Sequence, residues 1–505
     1  MTENFAIECR KITKRFGSVV ANDEIDLQVR YGEILALLGE NGSGKTTLMN
    51  MLSGIYHPDG GSIYIGGKEV TINSPVDSAA LGIGMIHQHF KLVDVFSAQD
   101  NIVLGTKEKR LASKVLKKKI EEISQSFGLE IEPEKKVYNM SVSEKQTVEI
   151  LKVLYRGAQI LILDEPTAVL TPQETEKLFT ILRKMKEQGC AIIIITHKLH
   201  EVLDISDRVT ILRKGKSIDT VHTKETDEKK LTELMVGRPV SLEIKRPEVE
   251  KRESILKVVD LTVMKSDGSM ALDDISFEIN TGEILGVAGV AGSGQKELCE
   301  TLTGLMEAKK GAILYHKENI VGKSPAEIIK LGISMSFVPE DRLGMGLVAS
   351  MGMVDNMLLK TYGKGNGPFV ERAGAREQAE RLVKELSIVT PGVDTPVRMM
   401  SGGNVQKVLL GREIESSPQV LITAYPVRGL DIHSSYTVYD LLNKQKEKGV
   451  AVVYIGEDLD VLLELSDRIM VLCHGQVTGI VDAHKVTKEQ VGLMMTGADM
   501  KEVGL

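Results

Sequence analysis

The chain has 505 residues, of which 42% are hydrophobic, 26% charged and 4% aromatic, and its formal net charge at pH 7 is -7. This length predicts two or three domains, and the composition is typical of a soluble α/β protein, not of a disordered or fibrous one. The negative charge argues against nucleic acid as the main partner, because no overall positive field would attract phosphates.

Cysteine usage and apolar run lengths exclude further classes. The chain has four cysteines, which are far apart and lack C-x-x-C spacing: Cys9, Cys190, Cys299 and Cys473. They predict a reducing compartment, with neither a disulfide framework nor a zinc site. The polar start Met1–Asn4 does not resemble a signal peptide. Runs such as Ala191–Ile195 are far shorter than the roughly 20 residues that cross a bilayer, so we expect no direct membrane insertion.

The first motif along the chain is a phosphate-binding loop. A strand-rich segment (residues 5–30) and the apolar strand Ile34–Leu38 precede it, and a helix over Thr46–Leu52 follows it. The loop has the complete form G-x-x-x-x-G-K-[S/T], in which Lys45 adds positive charge and the Thr46 hydroxyl can bind the Mg²⁺ that accompanies ATP or GTP. We expect these residues to bind the nucleotide: Gly39, Glu40, Asn41, Gly42, Ser43, Gly44, Lys45, Thr46 and Thr47.

The segment after this loop is expected to be mostly helical from about residue 95 to 150. Before it, Gln88 carries a neutral amide that suits contact with either Mg²⁺ or an attacking water, and the sequence leaves both roles open. The basic stretch Lys107–Lys119 could suggest phosphate binding. We interpret it as the solvated face of a helix, because Leu111, Val115 and Leu116 recur beside the lysines at helical spacing.

Two carboxylates end the next apolar strand. Asp164 and Glu165 directly follow Ile160–Leu163. Phosphoryl transfer requires one group that holds Mg²⁺ and another that orients and deprotonates water, so we assign Asp164 to the metal and Glu165 to the base. A helix over about 173–187 and a strand over Ala191–Thr196 follow, and His197 then stands where a side chain would meet the γ-phosphate. Alternating strands and helices predict an α/β fold with a parallel sheet core.

The chain is an internal duplication. Gly32–Leu35 recurs as Gly282–Leu285, an offset of 282 − 32 = 250, and Ser206–Arg208 recurs as Ser466–Arg468, an offset of 466 − 206 = 260. A net insertion of ten residues therefore lies in the second copy, between its phosphate loop and residue 401. We predict domains over residues 5–238 and 255–499, joined by a short linker over 239–254 in which prolines and mixed charges interrupt the periodic pattern.

These motifs in this order resemble the ATP-binding cassette, and the resemblance covers nearly the whole chain in two copies. It implies an antiparallel β subdomain and a helical subdomain beside each parallel sheet. It also implies that ATP lies between the phosphate loop of one copy and a Ser-Gly-Gly signature of the other, whose helix N-terminus meets the γ-phosphate. Phe16 stands where this family stacks an aromatic ring on adenine. ATP and Mg²⁺ are therefore the expected cofactors.

The two copies differ at the positions that carry the chemistry. Lys45 and Thr46 correspond to Gln295 and Lys296, and the positions of the carboxylates and histidine hold Ala424, Tyr425 and Glu457. The second copy keeps a signature, expected to bind ATP through these residues: Ser401, Gly402, Gly403 and Asn404. The first copy has Ser141-Val142-Ser143-Glu144 instead, and it has Thr171 where the second copy keeps Asp431. We therefore predict one competent site, built from the first loop and the second signature. Whether the other pocket holds nucleotide stays open.

This asymmetric tandem resembles the ATPase subunit of bacterial importers for simple sugars and nucleosides. The segments Gly82–Phe90 and Val338–Arg342 are most similar to the nucleoside-uptake branch, while ribose or galactose import stays an alternative. The resemblance implies two integral-membrane permeases and an extracellular solute-binding lipoprotein as partners, no nucleic acid, and a peripheral place on the cytoplasmic face of the cell membrane. A soluble ribosome-associated double cassette and a chromosome-associated ATPase are different-class alternatives. The first would have a long charged linker and two intact sites, and the second zinc modules or a coiled-coil arm.

Overall fold

The computed structural model divides into two compact units, Met1–Ser241 and Leu242–Leu505. The structure describes residues 5–17, 19–87, 90–106, 113–167, 170–196, 198–237, 243–249, 252–265, 267–337, 343, 346–362, 370–430 and 432–505. The finer limits 5–238, 239–254 and 255–499 stay predictions.

The first unit alternates strands and helices as the sequence predicted. Its strands are β1 Phe5–Phe16, β2 Val19–Arg30, β3 Ile34–Leu38, β4 Gly60–Ile65, β5 Lys68–Val70, β6 Ile83–Ile86, β7 Ile160–Asp164, β8 Ala191–Ile195, β9 Arg208–Arg213 and β10 Lys216–His222. Its helices are α1 Lys45–Leu52, α2 Pro75–Ala80, α3 Ala98–Val103, α4 Ser113–Phe127, α5 Val142–Tyr155, α6 Pro172–Glu187, α7 Leu199–Ile205 and α8 Glu228–Val236.

Two sheets organise this unit. The six-stranded sheet has the order β10-β9-β3-β8-β7-β6, in which only the pair β9–β10 is antiparallel. Its central strands β3 and β8 are continuous apolar runs with every residue buried, because helices or the second sheet cover both faces. The four-stranded antiparallel sheet has the order β2-β1-β4-β5. The fold is thus the predicted α/β fold, with a parallel sheet core, an antiparallel sheet and a helical segment.

The second unit repeats this plan. Its strands are β11 Ser254–Met264, β12 Met270–Asn280, β13 Ile284–Ala288, β14 Lys310–Tyr315, β15 Glu318–Asn319, β16 Ile333–Phe337, β17 Val420–Ala424, β18 Ala451–Ile455, β19 Arg468–Cys473 and β20 Gln476–Asp482. Its helices are α9 Gln295–Leu302, α10 Pro325–Lys330, α11 Met353–Thr361, α12 Ala373–Glu385, α13 Gly402–Glu415, α14 Ile432–Glu447, α15 Leu459–Leu465 and α16 Lys488–Met494. Its sheets have the orders β16-β17-β18-β13-β19-β20 and β12-β11-β14-β15.

The net insertion in the second copy consists of two parts. Buried Asn101 accepts a hydrogen bond from the Val93 N–H, and buried Asn356 accepts the equivalent bond from Val348, so the offset here is 356 − 101 = 255. Five residues are therefore added before Asn356 and five between it and Ser401, at an offset of 401 − 141 = 260.

The described part of the predicted linker packs on the second unit. The Arg246 guanidinium donates to the carbonyl oxygens of Leu463 and Ser466, at 3.0 and 2.5 Å. Arg252 forms an ion pair with Asp467 at 2.8 Å. Segment 243–249 is therefore part of the second unit's surface. Within the described ranges, no helix combines the length and the apolar character that crossing a bilayer requires.

Candidate functional site

The phosphate loop of the first unit connects β3 to α1 through a tight bend. The Ser43 N–H donates to the Glu40 carbonyl at 3.1 Å, and the Gly215 N–H donates to the Ser43 carbonyl at 3.1 Å. Gly39 and Gly44 have φ values of 156° and 99°. A Cβ at either position would lie within 2.4 Å of a backbone oxygen, so only glycine fits this cradle. The Ser43 hydroxyl is buried and has no hydrogen-bond partner within the described part of the chain.

Lys45 begins α1 and turns back over the loop. Its Nζ donates to the carbonyl oxygens of Gly39 and Glu40 at 2.6 and 3.1 Å. Burial lowers the pKa of Lys45, and the charges of Glu165 and Asp164 oppose that shift. The ammonium therefore lies in a partly desolvated position, near both carboxylates, where a phosphate oxygen could replace the carbonyl contacts.

The two carboxylates lie at the carboxyl end of β7, as predicted. Asp164 pairs in register with Ile195 of β8, and the Glu165 N–H donates to the Ile195 carbonyl at 2.8 Å. Burial and the neighbouring Glu165 charge raise the pKa of Asp164 to about 6, against the opposing effect of Lys45. A cation beside Asp164 would offset this cost. Glu165 has φ +48°, a left-handed conformation that is rare for a residue with a side chain.

An aromatic pair lies at one edge of the unit. The exposed Phe16 ring packs edge-on against Tyr56 with centroids 5.2 Å apart, and Lys14 Nζ is 5.6 Å from the Phe16 centroid. Phe16 therefore presents an accessible ring, as stacking on a base requires. Tyr56 was not predicted, because it lies 40 residues along the chain, after the helix that leaves the loop.

Some predicted residues lie outside the described part of the chain. These are Gln88, His197, Asp431, the segment Val338–Arg342 and residues 107–112 of the basic stretch, and the side chain of Val142 is likewise not described.

In the first unit the signature residue Ser141 is the N-cap of α5. Its hydroxyl accepts a hydrogen bond from the Glu144 N–H at 3.2 Å, and the Glu144 carboxylate accepts one from the Ser141 N–H at 2.7 Å. Lys135 donates to the same carboxylate at 2.6 Å. This reciprocal capping box places a negative charge at the helix N-terminus, where it competes with any bound phosphate. The capping role of Glu144 was not predicted from the sequence.

In the second unit Ser401 is the N-cap of α13, and its side chain makes no capping bond. The Asn404 amide donates to the Ser401 hydroxyl at 2.9 Å, and its oxygen accepts from the Val389 N–H at 3.0 Å. Ser401 and Gly402 are exposed. This helix N-terminus has no carboxylate in its first turn and is therefore suited to an anion.

The second phosphate loop lacks the reactive groups. Gln295 replaces the lysine, is buried, and donates to the Val290 carbonyl at 3.1 Å. Tyr425 occupies the position of Glu165 and keeps its left-handed backbone, with φ +52°. Burial, followed by the Glu457 charge, raises the pKa of Tyr425 to about 12, so it is neutral at physiological pH. Glu457 forms an ion pair with Arg428 at 3.4 Å.

The β3–loop–α1 unit and the carboxylates at the end of β7 define a P-loop nucleotide hydrolase. A sequence model of the ABC transporter family matches residues 22–168 and 272–426. The chain therefore belongs to the ABC transporter family. It is an ATPase of the kind coupled to transport, with two tandem cassettes.

Curated relatives match over the full length. The nucleoside import ATP-binding protein NupA of Lactococcus lactis is 42% identical over 99% of this chain and 100% of its own. The guanosine import ATP-binding protein NupO of Bacillus subtilis is also 42% identical, over 99% of both chains. The ribose import ATP-binding protein RbsA 1 of Streptomyces avermitilis is 39% identical over 95% of this chain and 91% of its own.

A solved structure supports the fold. The crystal structure of a complex of the archaeal ribosomal stalk protein aP1 and the ribosome recycling factor aABCE1 matches 94% of this chain and 90% of its own, with a TM-score of 0.60 and 18% identity. At this identity the likeness supports the fold alone.

The residues of the first unit fit ATP and Mg²⁺. Gly39 and Gly44 hold the loop in a bend that a Cβ would not allow, and the unpartnered Ser43 hydroxyl offers a donor to phosphate oxygens. Within the described ranges no cluster of three or more His, Cys, Asp or Glu is suited to a metal. Mg²⁺ does not require one, because phosphates and waters usually complete the set begun by one or two side-chain oxygens. Thr46 and Asp164 offer such oxygens.

Proposed function

We propose that the chain is the ATP-hydrolysing subunit of an importer for nucleosides. The names of the full-length relatives NupA and NupO support import of nucleosides. The observation that carries the ATPase assignment is the meeting of Lys45, Asp164 and Glu165 at one end of the first unit's sheet.

In the proposed reaction Lys45 holds the β- and γ-phosphates and exchanges its carbonyl contacts for phosphate oxygens. Thr46 and Asp164 hold Mg²⁺, which supplies charge stabilisation of the developing phosphate oxygens when bound. Glu165 orients the attacking water and accepts its proton, at a position fixed by the left-handed backbone and the Ile195 hydrogen bond. Gln88 contacts Mg²⁺ or the water, His197 contacts the γ-phosphate, and Phe16 stacks on adenine.

We further propose a single competent site, completed by the signature Ser401–Asn404 of the second unit. Two observations, one on the reactive groups and one on the signatures, support this single site. The reactive groups are complete only in the first unit, and among the two signatures only that of the second unit lacks a capping carboxylate. In this proposal Ser401 and the N–H groups of Gly403 and Asn404 bind the γ-phosphate.

The proposed partners are two integral-membrane permeases and an extracellular solute-binding lipoprotein, with no nucleic acid. The chain would then lie on the cytoplasmic face of the cell membrane through these permeases. A sugar importer is the second candidate, favoured by the full-length relative RbsA 1.

The test is uptake by a strain that lacks this chain. Loss of labelled guanosine uptake with unchanged ribose uptake supports the proposal, and the reverse result favours the sugar candidate. Re-expression of the chain should restore uptake, whereas the matched variant Glu165→Gln should not. A third outcome, normal uptake of both solutes and sedimentation of the chain with ribosomes, would support the ribosome-associated class.

A further inference from the structure

The phosphate loop of the second unit keeps the backbone of the first despite its changed side chains. The Ser293 N–H donates to the Val290 carbonyl at 3.1 Å, and the Gly475 N–H donates to the Ser293 carbonyl at 3.1 Å, as at the equivalent positions of the first loop. Gly294 has φ +106°, and no side chain caps α9. Its N-terminal N–H groups are therefore presented as in the first loop. Unlike α1, α9 has a carboxylate in its first turn, Glu297, whose charge is offset by an ion pair with Lys265 at 3.4 Å.

A side chain within this loop lacks a partner. The Ser293 hydroxyl, between Gly292 and Gly294, is 1% exposed and has no hydrogen-bond partner in the described ranges. Leaving a buried hydroxyl unpaired is unfavourable, so the Ser293 hydroxyl in this loop is suited to a ligand that accepts its hydrogen bond. The Ser43 hydroxyl of the first loop is likewise buried and without a hydrogen-bond partner in the described ranges, and we assign nucleotide phosphate as its ligand.

The cation of the second loop is displaced by one residue. Gln295 makes the contact to the Val290 carbonyl that Lys45 makes to Glu40. Lys296 takes the place of Thr46, and its side chain is 61% exposed. Its Nζ is 3.7 Å from Glu300. An exposed pair of this kind contributes little free energy, so Lys296 is able to turn to a phosphate.

The second unit also lacks the two side chains that we assign to the metal in the first unit. The position of the Thr46 hydroxyl holds an ammonium group, and Ala424 replaces Asp164. Lys296 would supply positive charge at the position where Thr46 would hold Mg²⁺ in the first unit. Two further ion pairs lie near this loop: Glu297 with Lys265 at 3.4 Å, and Arg428 with Glu457 at 3.4 Å.

The base-stacking pair is also missing. β1 and β11 are related by an offset of 254 − 5 = 249, and their left-handed residues Lys11 and Asp260 share this offset. Lys265 therefore takes the place of Phe16. The Met306 N–H donates to the Glu300 carbonyl as Tyr56 does to Asn50, so Met306 takes the place of Tyr56. Neither of these two positions therefore offers an aromatic face to a base.

We propose that the second phosphate loop binds the phosphate chain of a nucleoside di- or triphosphate without a divalent cation, with Lys296 as counter-charge, and without recognising the base. This site is separate from the catalytic site of the first unit and does not depend on it. It holds phosphate through backbone N–H groups, the Ser293 hydroxyl and one ammonium.

The test uses the full chain with Lys45→Ala and Thr46→Ala, which disable the first loop. Equilibrium dialysis in EDTA measures binding of ATP, GTP and pyrophosphate. We expect about one ATP per chain, displaced by pyrophosphate, and affinities for ATP and GTP within about threefold of each other. Adding Lys296→Ala should weaken binding by about tenfold or more, because a charge-assisted contact is lost. Lys296→Arg should keep it within about threefold.

The matched control is Lys330→Ala, an exposed lysine on α10 of the same unit, which should leave binding unchanged. Unfolding temperature verifies that each variant is folded. Absence of binding in EDTA, equal effects of Lys296→Ala and Lys330→Ala, or a preference above about tenfold for ATP over GTP would each overturn the proposal. Mg²⁺-dependent ATPase activity of the unmodified chain, measured in parallel, tests the catalytic site of the first unit separately.

Discussion

The Glu144 carboxylate accepts a hydrogen bond from the Ser141 N–H at 2.7 Å, and the Ser141 hydroxyl accepts one from the Glu144 N–H at 3.2 Å. The first signature thus satisfies its helix N-terminus with its own carboxylate. Ser401, its counterpart in the second unit, makes no such bond. The expected effects of Glu144→Ala and of Ser401→Ala depend on this difference.

Glu144→Ala should destabilise the first unit by about 1 kcal/mol at pH 7, because a helix cap is lost. Burial raises the pKa of Glu144, but bonds from Lys135 and Ser141 exceed this effect and hold the pKa below its ordinary value of 4.5. A lowered folded pKa stabilises the folded state above the unfolded value, and this contribution is lost as the pH falls through the folded pKa. Calorimetry should therefore show a difference at pH 7 that shrinks below pH 4.5. The same difference at both pH values would contradict the role of the charge.

Glu165→Gln should reduce ATP turnover by about 10²- to 10⁴-fold, because a general base is removed while the shape of the side chain is kept. Bound ATP should then persist on the protein, and phosphate release and nucleotide retention measure both effects. Tyr425→Phe is the matched control at the equivalent position of the second unit, and it should leave turnover nearly unchanged. Turnover near that of the unmodified chain in Glu165→Gln would refute the assignment.

Ser401→Ala should reduce hydrolysis by about tenfold or more, because a donor to the γ-phosphate is lost in the proposed site. Ser141→Ala removes the equivalent hydroxyl from the self-capped helix and should leave turnover within about twofold. Steady-state phosphate release from the two full-length variants gives the comparison. Equal losses would contradict the pairing of the first loop with the second signature.

Phe16→Ala should raise the KM for ATP by about five- to hundredfold with little change in kcat, because stacking on a base contributes about 1 to 3 kcal/mol. Phe16→Tyr keeps the aromatic face and should retain the original KM. Tyr56→Ala should have a smaller effect, since Tyr56 supports the Phe16 ring edge-on. A KM that Phe16→Ala leaves unchanged would show that the ring does not contact the base.

Gln295→Lys should not add a second active site. The new ammonium would restore charge at the second loop, but Ala424 and Tyr425 still supply neither a metal ligand nor a base. Turnover per chain should stay at that of the unmodified chain, as measured by phosphate release with saturating ATP and Mg²⁺. Turnover near that of the unmodified chain when Gln295→Lys is combined with Glu165→Gln would show that the second unit hydrolyses ATP.

The sequence predicted the elements that depend on local pattern. The apolar strand before Asp164 and the glycine-rich loop before Lys45 appear where they were expected, because buried parallel strands and phosphate loops have strong local signatures. The duplication also predicted the repeated plan of the two units. The exact position of the insertion was not predictable, since only the buried pair Asn101 and Asn356 fixes the intermediate offset.

Features that depend on contacts between distant residues were missed. Tyr56 meets Phe16 only after the chain has passed through the loop and α1. The capping role of Glu144 has a sequence signal, Ser-x-x-Glu before an apolar run, but the same four residues also align with a glycine-rich signature. The left-handed backbone at Glu165 has no sequence signal, because glutamate is an uncommon choice there.

Tyr425 keeps that same left-handed turn although it stands in place of the proposed base Glu165, next to Ala424 in place of Asp164. The fold therefore requires this turn, whichever side chain is present. It lies where the chain leaves a buried strand and changes direction beside the neighbouring strand. Such an unfavourable conformation costs about 1 to 2 kcal/mol for a residue with a side chain. The backbone conformation of a catalytic position can thus be retained in a duplicated domain after the catalytic side chain has been replaced. A left-handed residue at this place in the fold is therefore not evidence of catalysis by itself.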